Sequence, residues 1–279
     1  MSDFVAAMIF PQWQGAARTI GYAAGTRLLG SLLPPSLPQH DVACDASAEP
    51  LVFQDHVKGL DILARQADRA AALRRTLPAG PVLTIGGDCA ADLTTAAWAH
   101  EQMPDDVALI WIDGHADLNT PASSPSGHFH GMVVRSLMGE GPVALIRHVA
   151  CAYAPHQVFY ISARDCDSAE SDDIARLDLF RLSAPDRIDD LIAAIAGRGL
   201  SRIYLHLDLD VLDPEAFPYV GVPAAQGLTV EALCRVLQHL RRHFPLAGAA
   251  ITELNLANDD DARAAQPALR KILSEGFGL

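Results

Sequence analysis

Five short apolar runs, rich in β-branched residues, recur along the chain, and each ends at a cluster of small, polar or acidic residues. The runs cover residues 82–85, 107–112, 158–161, 202–207 and 249–252. Continuously apolar runs of this length are typical of strands that are buried on both faces of a parallel sheet. The pattern therefore predicts five strands of a mostly parallel sheet.

Amphipathic helical patterns lie between and beyond these runs, over residues 55–77, 91–101, 131–138, 188–196, 229–243 and 261–274. Thr229 suits the N-cap of the fifth helix, and Pro245 follows its end. Strands that alternate with helices predict an α/β fold with helices on both faces of the sheet. Because no stretch resembles a long polar linker, we expect one domain over residues 1–279. The proline-rich residues 33–39 are predicted to form a loop near the edge of the fold.

The composition favours a folded, acidic protein. Of the 279 residues, 50% are hydrophobic and 20% are charged, and the formal net charge is −13. Such an acidic chain is poorly suited to a phosphate backbone, so we expect no nucleic-acid partner. No run approaches the roughly 18 apolar residues of a membrane helix, and the first residues carry an acid where a signal peptide carries a cation. We therefore expect a cytoplasmic protein without a membrane partner.

Acidic residues and one histidine follow two of the predicted strands. Asp113, His115 and Asp117 form the pattern D-x-H-x-D, and Asp208 and Asp210 form D-x-D. Ligands bind beyond the carboxyl ends of the strands of an open parallel sheet, and residues two apart in extended backbone point the same way. Converging carboxylates repel one another unless cations lie between them. Carboxylates with one imidazole suit Mn²⁺, and two such ions about 3.5–4 Å apart produce an activated hydroxide at neutral pH.

A purely structural role is the alternative for each motif. A single D-x-D at the end of a strand is more often a helix cap or a surface turn. The two motifs together, on separate strand ends of one α/β domain, favour a metal centre.

Five stretches of the chain resemble the ordered motifs of the arginase/agmatinase (ureohydrolase) family. They are GGDCAADL (86–93), WIDGHADLNTPASSPSGHFHGM (111–132), YISARDCDSAE (160–170), LHLDLDVLDP (205–214) and ITELN (251–255). The resemblance covers residues 80 to 256. It implies a three-layer α/β/α fold with a mostly parallel sheet of about eight strands, a single ureohydrolase domain, and hydrolysis of guanidines at a site with two Mn²⁺ ions. Relatives are often trimers or hexamers, which leaves a homo-oligomer open.

The resemblance also implies a role for each residue of the two acidic motifs. Asp113 and Asp208 match the residues that bridge the two metals. Asp117 matches a ligand of the first metal only, whereas His115 and Asp210 match ligands of the second.

Cys89 is the departure within the implied metal ligands, because the family has histidine at this position of its GGDH motif. A thiolate prefers Zn²⁺ or iron over Mn²⁺, and nearby carboxylates oppose its formation. We therefore expect the first Mn²⁺ site to be weakly or partially occupied and the second to be more robust. The alternative is that Cys89 is a small buried residue beside an empty first site.

The resemblance implies that the substrate is an α-amino acid. Asn119 and Ser126 match residues that receive the α-carboxylate, and Asp167 matches the residue that receives the α-amino group. Agmatine has no carboxylate, so these three positions together favour an amino acid. His128 stands where arginases commonly have asparagine, and two roles stay open for it: contact with the α-carboxylate, or filling of the rim.

Two further residues match the family's catalytic groups. Glu253 matches the carboxylate that faces the guanidinium group, whose planar fork suits a carboxylate partner. His130 matches the proton shuttle that delivers a proton to the leaving amine. A structural core histidine is the alternative for His130.

Val222 stands where arginases usually have threonine. Together with Cys89, it lowers the polarity or metal affinity near the reacting end of the substrate. An Nω-hydroxyguanidine suits such a site, because its hydroxyl lowers the basicity and brings a ligand atom. The chain thus resembles the family members that hydrolyse Nω-hydroxy-L-arginine to L-ornithine and hydroxyurea in D-cycloserine biosynthesis. The alternatives are an ordinary arginase, a guanidinobutyrase or a formimidoylglutamase, and, from another class, a catalytically inactive regulatory homologue.

Overall fold

The computed structural model describes residues 3–16, 21–45, 51–182 and 184–279. Within these residues the strands are β1 (Ala6–Phe10), β2 (Gln39–Asp41), β3 (Phe53–Gln54), β4 (Val57–Lys58), β5 (Val82–Gly86), β6 (Val107–Asp113), β7 (Val158–Ser162), β8 (Phe180–Leu182), β9 (Arg202–Asp208) and β10 (Leu246–Thr252). Eight of them form one sheet in the order β2-β1-β5-β10-β9-β6-β7-β8. Each neighbouring pair in this sheet is parallel. Strands β3 and β4 form a separate antiparallel pair.

The helices in the same part of the chain are α1 (Tyr22–Leu32), α2 (Leu60–Thr76), α3 (Leu93–Gln102), α4 (Val133–Leu137), α5 (Val143–Ile146), α6 (Ser168–Arg176), α7 (Ile188–Gly197), α8 (Val230–His243) and α9 (Asp259–Lys271). No helix among the described residues is long and apolar enough to cross a lipid bilayer.

Two apolar layers cover the two faces of the sheet, because alternate strand residues point to opposite sides. On β6, Ala108, Ile110 and Ile112 belong to the layer that includes residues of α1, α7, α8 and α9. Leu109 and Trp111 belong to the opposite layer, with residues of α2, α3, α4 and α5. This is the expected three-layer α/β/α fold, and its eight-stranded parallel sheet confirms the fold class.

The structure contains all five predicted strands and adds β1, β2 and β8 to the same sheet. Strand β1 has the same buried apolar pattern, but Pro11 follows it in place of a small or acidic cluster. The edge strands β2 and β8 are three residues long and partly exposed. An edge strand lacks a neighbour on one side and does not need a continuous apolar run, which is why the pattern did not reveal them.

The six predicted helices are also present, with changed bounds. Helix α2 begins at Leu60 rather than at residue 55, because the β3–β4 pair occupies residues 53–58. Helix α8 begins after Thr229, whose side chain accepts a hydrogen bond from the backbone N–H of Ala232 at 3.1 Å, as expected for an N-cap. Helices α1, α5 and α6 were not predicted. Only Glu170 is buried in α6, so this helix has no apolar stripe.

Candidate active site

Four neighbouring strands of the sheet, β5, β10, β9 and β6, place functional side chains at their carboxyl ends. Asp113 and Asp208 are the last residues of β6 and β9, Glu253 follows β10, and Cys89 begins a short 3₁₀ turn after β5. The Cys89 Sγ lies 3.0 Å from Oδ2 of Asp208. This edge of the sheet is where an open α/β fold binds its ligands.

Two overlapping groups of possible metal-ligating atoms form at this edge, and within each group all atoms lie within 4.8 Å of one another. The first group contains Cys89, Asp113, His206 and Asp208, and the second contains Asp113, His115 and Asp210. Asp113 belongs to both groups, as a bridging ligand would. Asp208 belongs only to the first group, so its bridging role stays a prediction.

The D-x-D motif does not have the extended backbone expected from its position after a strand. Leu209–Val211 forms a 3₁₀ turn, and the Oδ1 of Asp208 accepts a hydrogen bond from the backbone N–H of Asp210 at 2.7 Å. The carboxylate of Asp210 accepts a hydrogen bond from the backbone N–H of Gly114 at 2.9 Å and thereby joins the two motifs. Asp208 is therefore both a turn cap and a member of the carboxylate cluster, two roles that the sequence analysis treated as alternatives.

Asp117 lies outside both groups, although it lines the same cavity. Its Oδ2 is buried and has no hydrogen-bond partner among the described residues. Its φ of 50° lies in the left-handed region, which costs a residue other than glycine about 1–3 kcal/mol. A buried carboxylate oxygen without a donor fits a cation, and the role of Asp117 as a ligand of the first metal stays a prediction.

Burial and mutual repulsion make this cluster of carboxylates costly without a cation. Burial, followed by the charges of Asp210 and Asp113, raises the pKa of Asp208 well above its usual range. Burial and the charge of Asp113 raise the pKa of Asp210 to about 7. Divalent ions would remove both penalties, because their charge stabilises the ionised carboxylates. The residues present therefore fit the metal centre that the sequence predicts.

Cys89 and His115 mark the two ends of this cluster. Burial and the charge of Asp208 raise the pKa of the Cys89 thiol well above its ordinary value. His115 Nδ1 lies 3.0 Å from Oδ2 of Asp210. Burial alone would lower the pKa of His115, but Asp113 and Asp210 outweigh it and raise the value. The surroundings of Cys89 therefore oppose formation of a thiolate. The two carboxylates beside His115 hold its imidazole in place within the second group.

The half-buried His130 and the buried Glu253 form a pair next to the cluster. Oε1 of Glu253 lies 3.1 Å from Nδ1 of His130, and it accepts a hydrogen bond from the backbone N–H of Cys89 at 3.1 Å. The buried phenol of Tyr22 lies nearby, and its pKa is raised by burial and by the charge of Glu253. Glu253 has a φ of 67°, so a second residue of the site is held in the left-handed region.

The predicted substrate-binding residues lie at the rim. Asn119 Nδ2 donates a hydrogen bond to Oδ2 of Asp167 at 2.9 Å. Ser126 Oγ accepts a hydrogen bond from the backbone N–H of His128 at 3.1 Å, and His128 Nε2 lies 3.0 Å from Nζ of Lys58. This contact places a cation beside the residues predicted to receive the α-carboxylate.

One cavity of about 200 Å³ connects the cluster to the rim. Its lining includes the predicted site residues His115, Asp117, Asn119, Ser126, His130, Asp167, Asp208 and Asp210, together with Val222. Cys89, Asp113, His128 and Glu253 do not line it. A larger cavity of about 440 Å³ lies at the amino ends of β9 and β10, on the side of the sheet away from the cluster. None of the predicted site residues lines it.

Sequence reasoning missed three residues of the site: His206, Glu170 and Lys58. His206 precedes Asp208 by two positions in the buried strand β9, and this spacing was a usable signal. Glu170 accepts hydrogen bonds from the backbone N–H groups of Leu118 and Asp167, each at 2.9 Å, and so joins the two rim segments. The capping-box spacing from Asp167 to Glu170 was a second signal. No sequence signal pointed to Lys58, because only the tertiary structure brings it to His128.

Comparisons with known proteins point to one family. The model of the arginase family matches residues 36–276. The arginase of Eremothecium gossypii is 32% identical over 204 residues, which cover 69% of this chain and 50% of that protein. The hepatic arginase of Aquarana catesbeiana is 30% identical over 273 residues, which cover 89% of this chain and 81% of that protein.

Among solved structures, the arginase of Entamoeba histolytica in complex with L-ornithine superposes with a TM-score of 0.87. The sequences are 23% identical, and the alignment covers 100% of this chain and 99% of that one, so this likeness shows the fold. Because the family model matches most of the sequence and the hepatic relative aligns over most of both chains, the chain belongs to the arginase family.

Proposed function

We propose that the protein is a metal-dependent amidinohydrolase that acts on an arginine-like amino acid. The observation that carries this proposal is the cavity of about 200 Å³, which has carboxylates and an imidazole at its base and the polar side chains of Asn119, Ser126 and Asp167 at its rim. A substrate with a guanidino group at one end and an α-amino acid at the other end needs both sets of groups.

Six residues would hold the metal ions: Cys89, Asp113, His115, Asp117, Asp208 and Asp210. The oxygen-rich second group, Asp113, His115 and Asp210, suits Mn²⁺. The first group contains Cys89, so it would hold Mn²⁺ more weakly. When bound, the two ions supply a Lewis acid and lower the pKa of water into the neutral range.

Glu253 and His130 act on the guanidino end. The Glu253 carboxylate offers a planar acceptor to a guanidinium group, and its hydrogen bond to His130 keeps a proton on that imidazole. Burial alone would lower the pKa of His130, but Glu253 outweighs it, so the value is raised. The raised pKa favours the protonated imidazole, which would deliver its proton to the leaving amine.

The rim residues act on the amino-acid end. Asp167 attracts the α-ammonium group, and Asn119 and Ser126 offer polar contacts to the α-carboxylate. Lys58 adds a positive charge 3.0 Å from His128 and thereby favours a substrate with a carboxylate. Agmatine lacks the carboxylate and would lose these contacts.

The finer proposal is that the substrate is Nω-hydroxy-L-arginine and that the products are L-ornithine and hydroxyurea. Val222 lines the cavity without a hydroxyl, and Cys89 weakens the first Mn²⁺ site. A substrate with lower basicity and its own ligand atom compensates for both changes. The L-ornithine bound to the Entamoeba histolytica arginase supports a product of this shape for the same fold.

Turnover of Nω-hydroxy-L-arginine, L-arginine and agmatine, each with Mn²⁺ added and removed, tests the proposal. We expect the highest kcat/KM for the hydroxylated amino acid, a lower value for arginine and the lowest for agmatine. Hydroxyurea and ornithine should form in equal amounts. A higher kcat/KM for arginine than for its hydroxylated form would favour an ordinary arginase, which is the activity named for the relatives.

A protein that binds metal but hydrolyses none of these compounds, nor 4-guanidinobutyrate or formimidoylglutamate, would instead be the inactive regulatory homologue. The retained His130–Glu253 pair argues against that alternative, since a binding protein has no need of a proton donor beside the metal ligands.

A further inference from the structure

His206 is a fully buried residue of β9 that the arginase-like roles leave unassigned. It lies two positions before Asp208, so both side chains leave the strand on the same face. Its ring stacks on Trp111 with a centroid distance of 3.4 Å and an interplanar angle of 3°. The imidazole is therefore fixed in place within the first group of ligating atoms.

The hydrogen bonds of His206 select one tautomer. Nδ1 lies 2.8 Å from Oδ2 of Asp92, a fully buried carboxylate that also accepts a hydrogen bond from the Tyr204 hydroxyl. A carboxylate on one ring nitrogen holds the proton there and leaves the lone pair on the other nitrogen, as in the carboxylate–histidine–zinc arrangement. Nε2 is thus the nitrogen available to bind a ligand.

Nε2 faces the neighbourhood of Cys89. It lies 3.3 Å from Oγ1 of Thr252, and that hydroxyl lies 3.5 Å from the Cys89 Sγ. The hydroxyl of Thr252 also lies 3.4 Å from the backbone oxygen of Leu207, so its proton has an acceptor other than Nε2. Ligating atoms of His206, Cys89, Asp113 and Asp208 lie within 4.8 Å of one another.

The chemistry of this set differs from that of the second group. One sulfur, one imidazole and two carboxylates are four ligands of mixed softness, which is typical of tetrahedral Zn²⁺ and of Co²⁺ in its place. The second group contains carboxylates and an imidazole but no sulfur. The two sites therefore differ in the ions they favour.

We infer that His206 is a ligand of the first metal site and replaces, from strand β9, the imidazole that Cys89 displaces. The site then takes a Zn²⁺-like ion in preference to Mn²⁺, with Asp92 as the residue that positions His206. This inference rests on the metal centre of the proposed function, but it is tested without substrate.

The test uses the metal-free 279-residue chain and Co²⁺ as the probe. A histidine bound to Co²⁺ gives an exchangeable N–H proton resonance far outside the normal range. We expect two such resonances, one from His115 and one from His206, and two bound Co²⁺ ions per chain. His206→Gln should remove one resonance and one ion. His115→Gln should remove the other resonance.

His100→Gln is the matched control. His100 is also a buried histidine, it stacks on Tyr153 at 3.9 Å, and it lies outside both groups of ligating atoms. This variant should keep both resonances and both ions. If His206→Gln also keeps both, the inference is wrong.

Asp92→Asn provides a second measurement should His206→Gln fail to fold. Loss of a carboxylate that orients a ligating histidine typically weakens metal binding 10–100-fold, so we expect a loss of that size for Zn²⁺ at the first site alone. Unchanged Zn²⁺ affinity in this variant would contradict a ligating His206.

Competition between Zn²⁺ and Mn²⁺ tests the choice of ion. In an equimolar mixture we expect one site to retain Zn²⁺ in the wild-type chain, and Cys89→Ser to reduce that Zn²⁺ retention. Equal retention in both proteins would exclude the mixed ligand set. If no guanidino compound is hydrolysed while these metal results hold, the proposed function fails and this inference stands. If guanidino compounds are hydrolysed but the metal results do not hold, only this inference fails.

Discussion

Glu253 Oε1 lies 3.1 Å from His130 Nδ1, although the two residues are 123 positions apart in the chain. Each member of the pair favours the charged form of the other. Burial favours the neutral forms, but the shared hydrogen bond and charge raise the pKa of His130 and lower that of Glu253. Both shifts favour a proton on the imidazole beside the cluster of carboxylates.

The first prediction concerns the origin of the raised His130 pKa. Glu253→Gln removes the charge that opposes burial, so the pKa of His130 should fall relative to the wild type. The variant should then lose the imidazolium proton at a lower pH. An NMR titration of the His130 ring in the metal-free protein measures this shift. An unchanged pKa would assign the shift to Asp88, the other carboxylate that raises it.

The second prediction concerns the shared carboxylates. Asp113→Asn and Asp208→Asn should each lower both metal binding and turnover by more than about 100-fold, which exceeds the usual effect of losing a residue that only orients a ligand. The asparagine at 208 keeps an oxygen for the Asp210 N–H, so the turn should persist, as circular dichroism can verify. Near-normal turnover in either variant would contradict the hypothesis that these carboxylates hold two metal ions.

The third prediction concerns Asp167. Asp167→Asn should raise KM for the amino-acid substrate by about 10–100-fold, the range expected for a hydrogen bond to a charged group, and should change kcat much less. Asparagine can still cap α6, whereas alanine would also remove the cap. Steady-state kinetics separate the two parameters. A fall in kcat with unchanged KM would move Asp167 out of substrate binding.

The fourth prediction concerns Cys89. In Cys89→His, a neutral imidazole replaces a group that either adds a charge as a thiolate or barely ligates as a thiol. The Mn²⁺ occupancy of the first site should rise, and turnover of plain arginine should rise with it. The preference for the hydroxylated substrate should narrow but persist, because Val222 still lacks a hydroxyl.

Elemental analysis and the ratio of the two kcat/KM values measure this change. Val222→Thr in the Cys89→His background should narrow the preference further and serves as the companion variant. Unchanged metal stoichiometry in the Cys89→His protein would mean that residue 89 does not bind the first ion.

The sequence by itself determined the fold class and most of the candidate chemistry. Buried parallel strands need apolar residues on both faces, so runs such as 107–112 were visible without any tertiary information. The polar residues that end these runs are equally local, which is why Asp113 and Asp208 were identified as a pair. The motifs also indicated the family, because their order along the chain is itself a property of the sequence.

Only the tertiary structure decided which strand ends meet. Strand β10 lies between β5 and β9, and this order brings Cys89, Asp208 and Glu253 together from distant parts of the chain. The order of parallel strands depends on how the connecting helices pack on the two faces, a sum of many long-range contacts that no local pattern encodes. For the same reason, the sequence pattern showed His206 only as one more residue of a buried strand. The sheet brings its ring against Trp111 and Asp92 and close to Cys89.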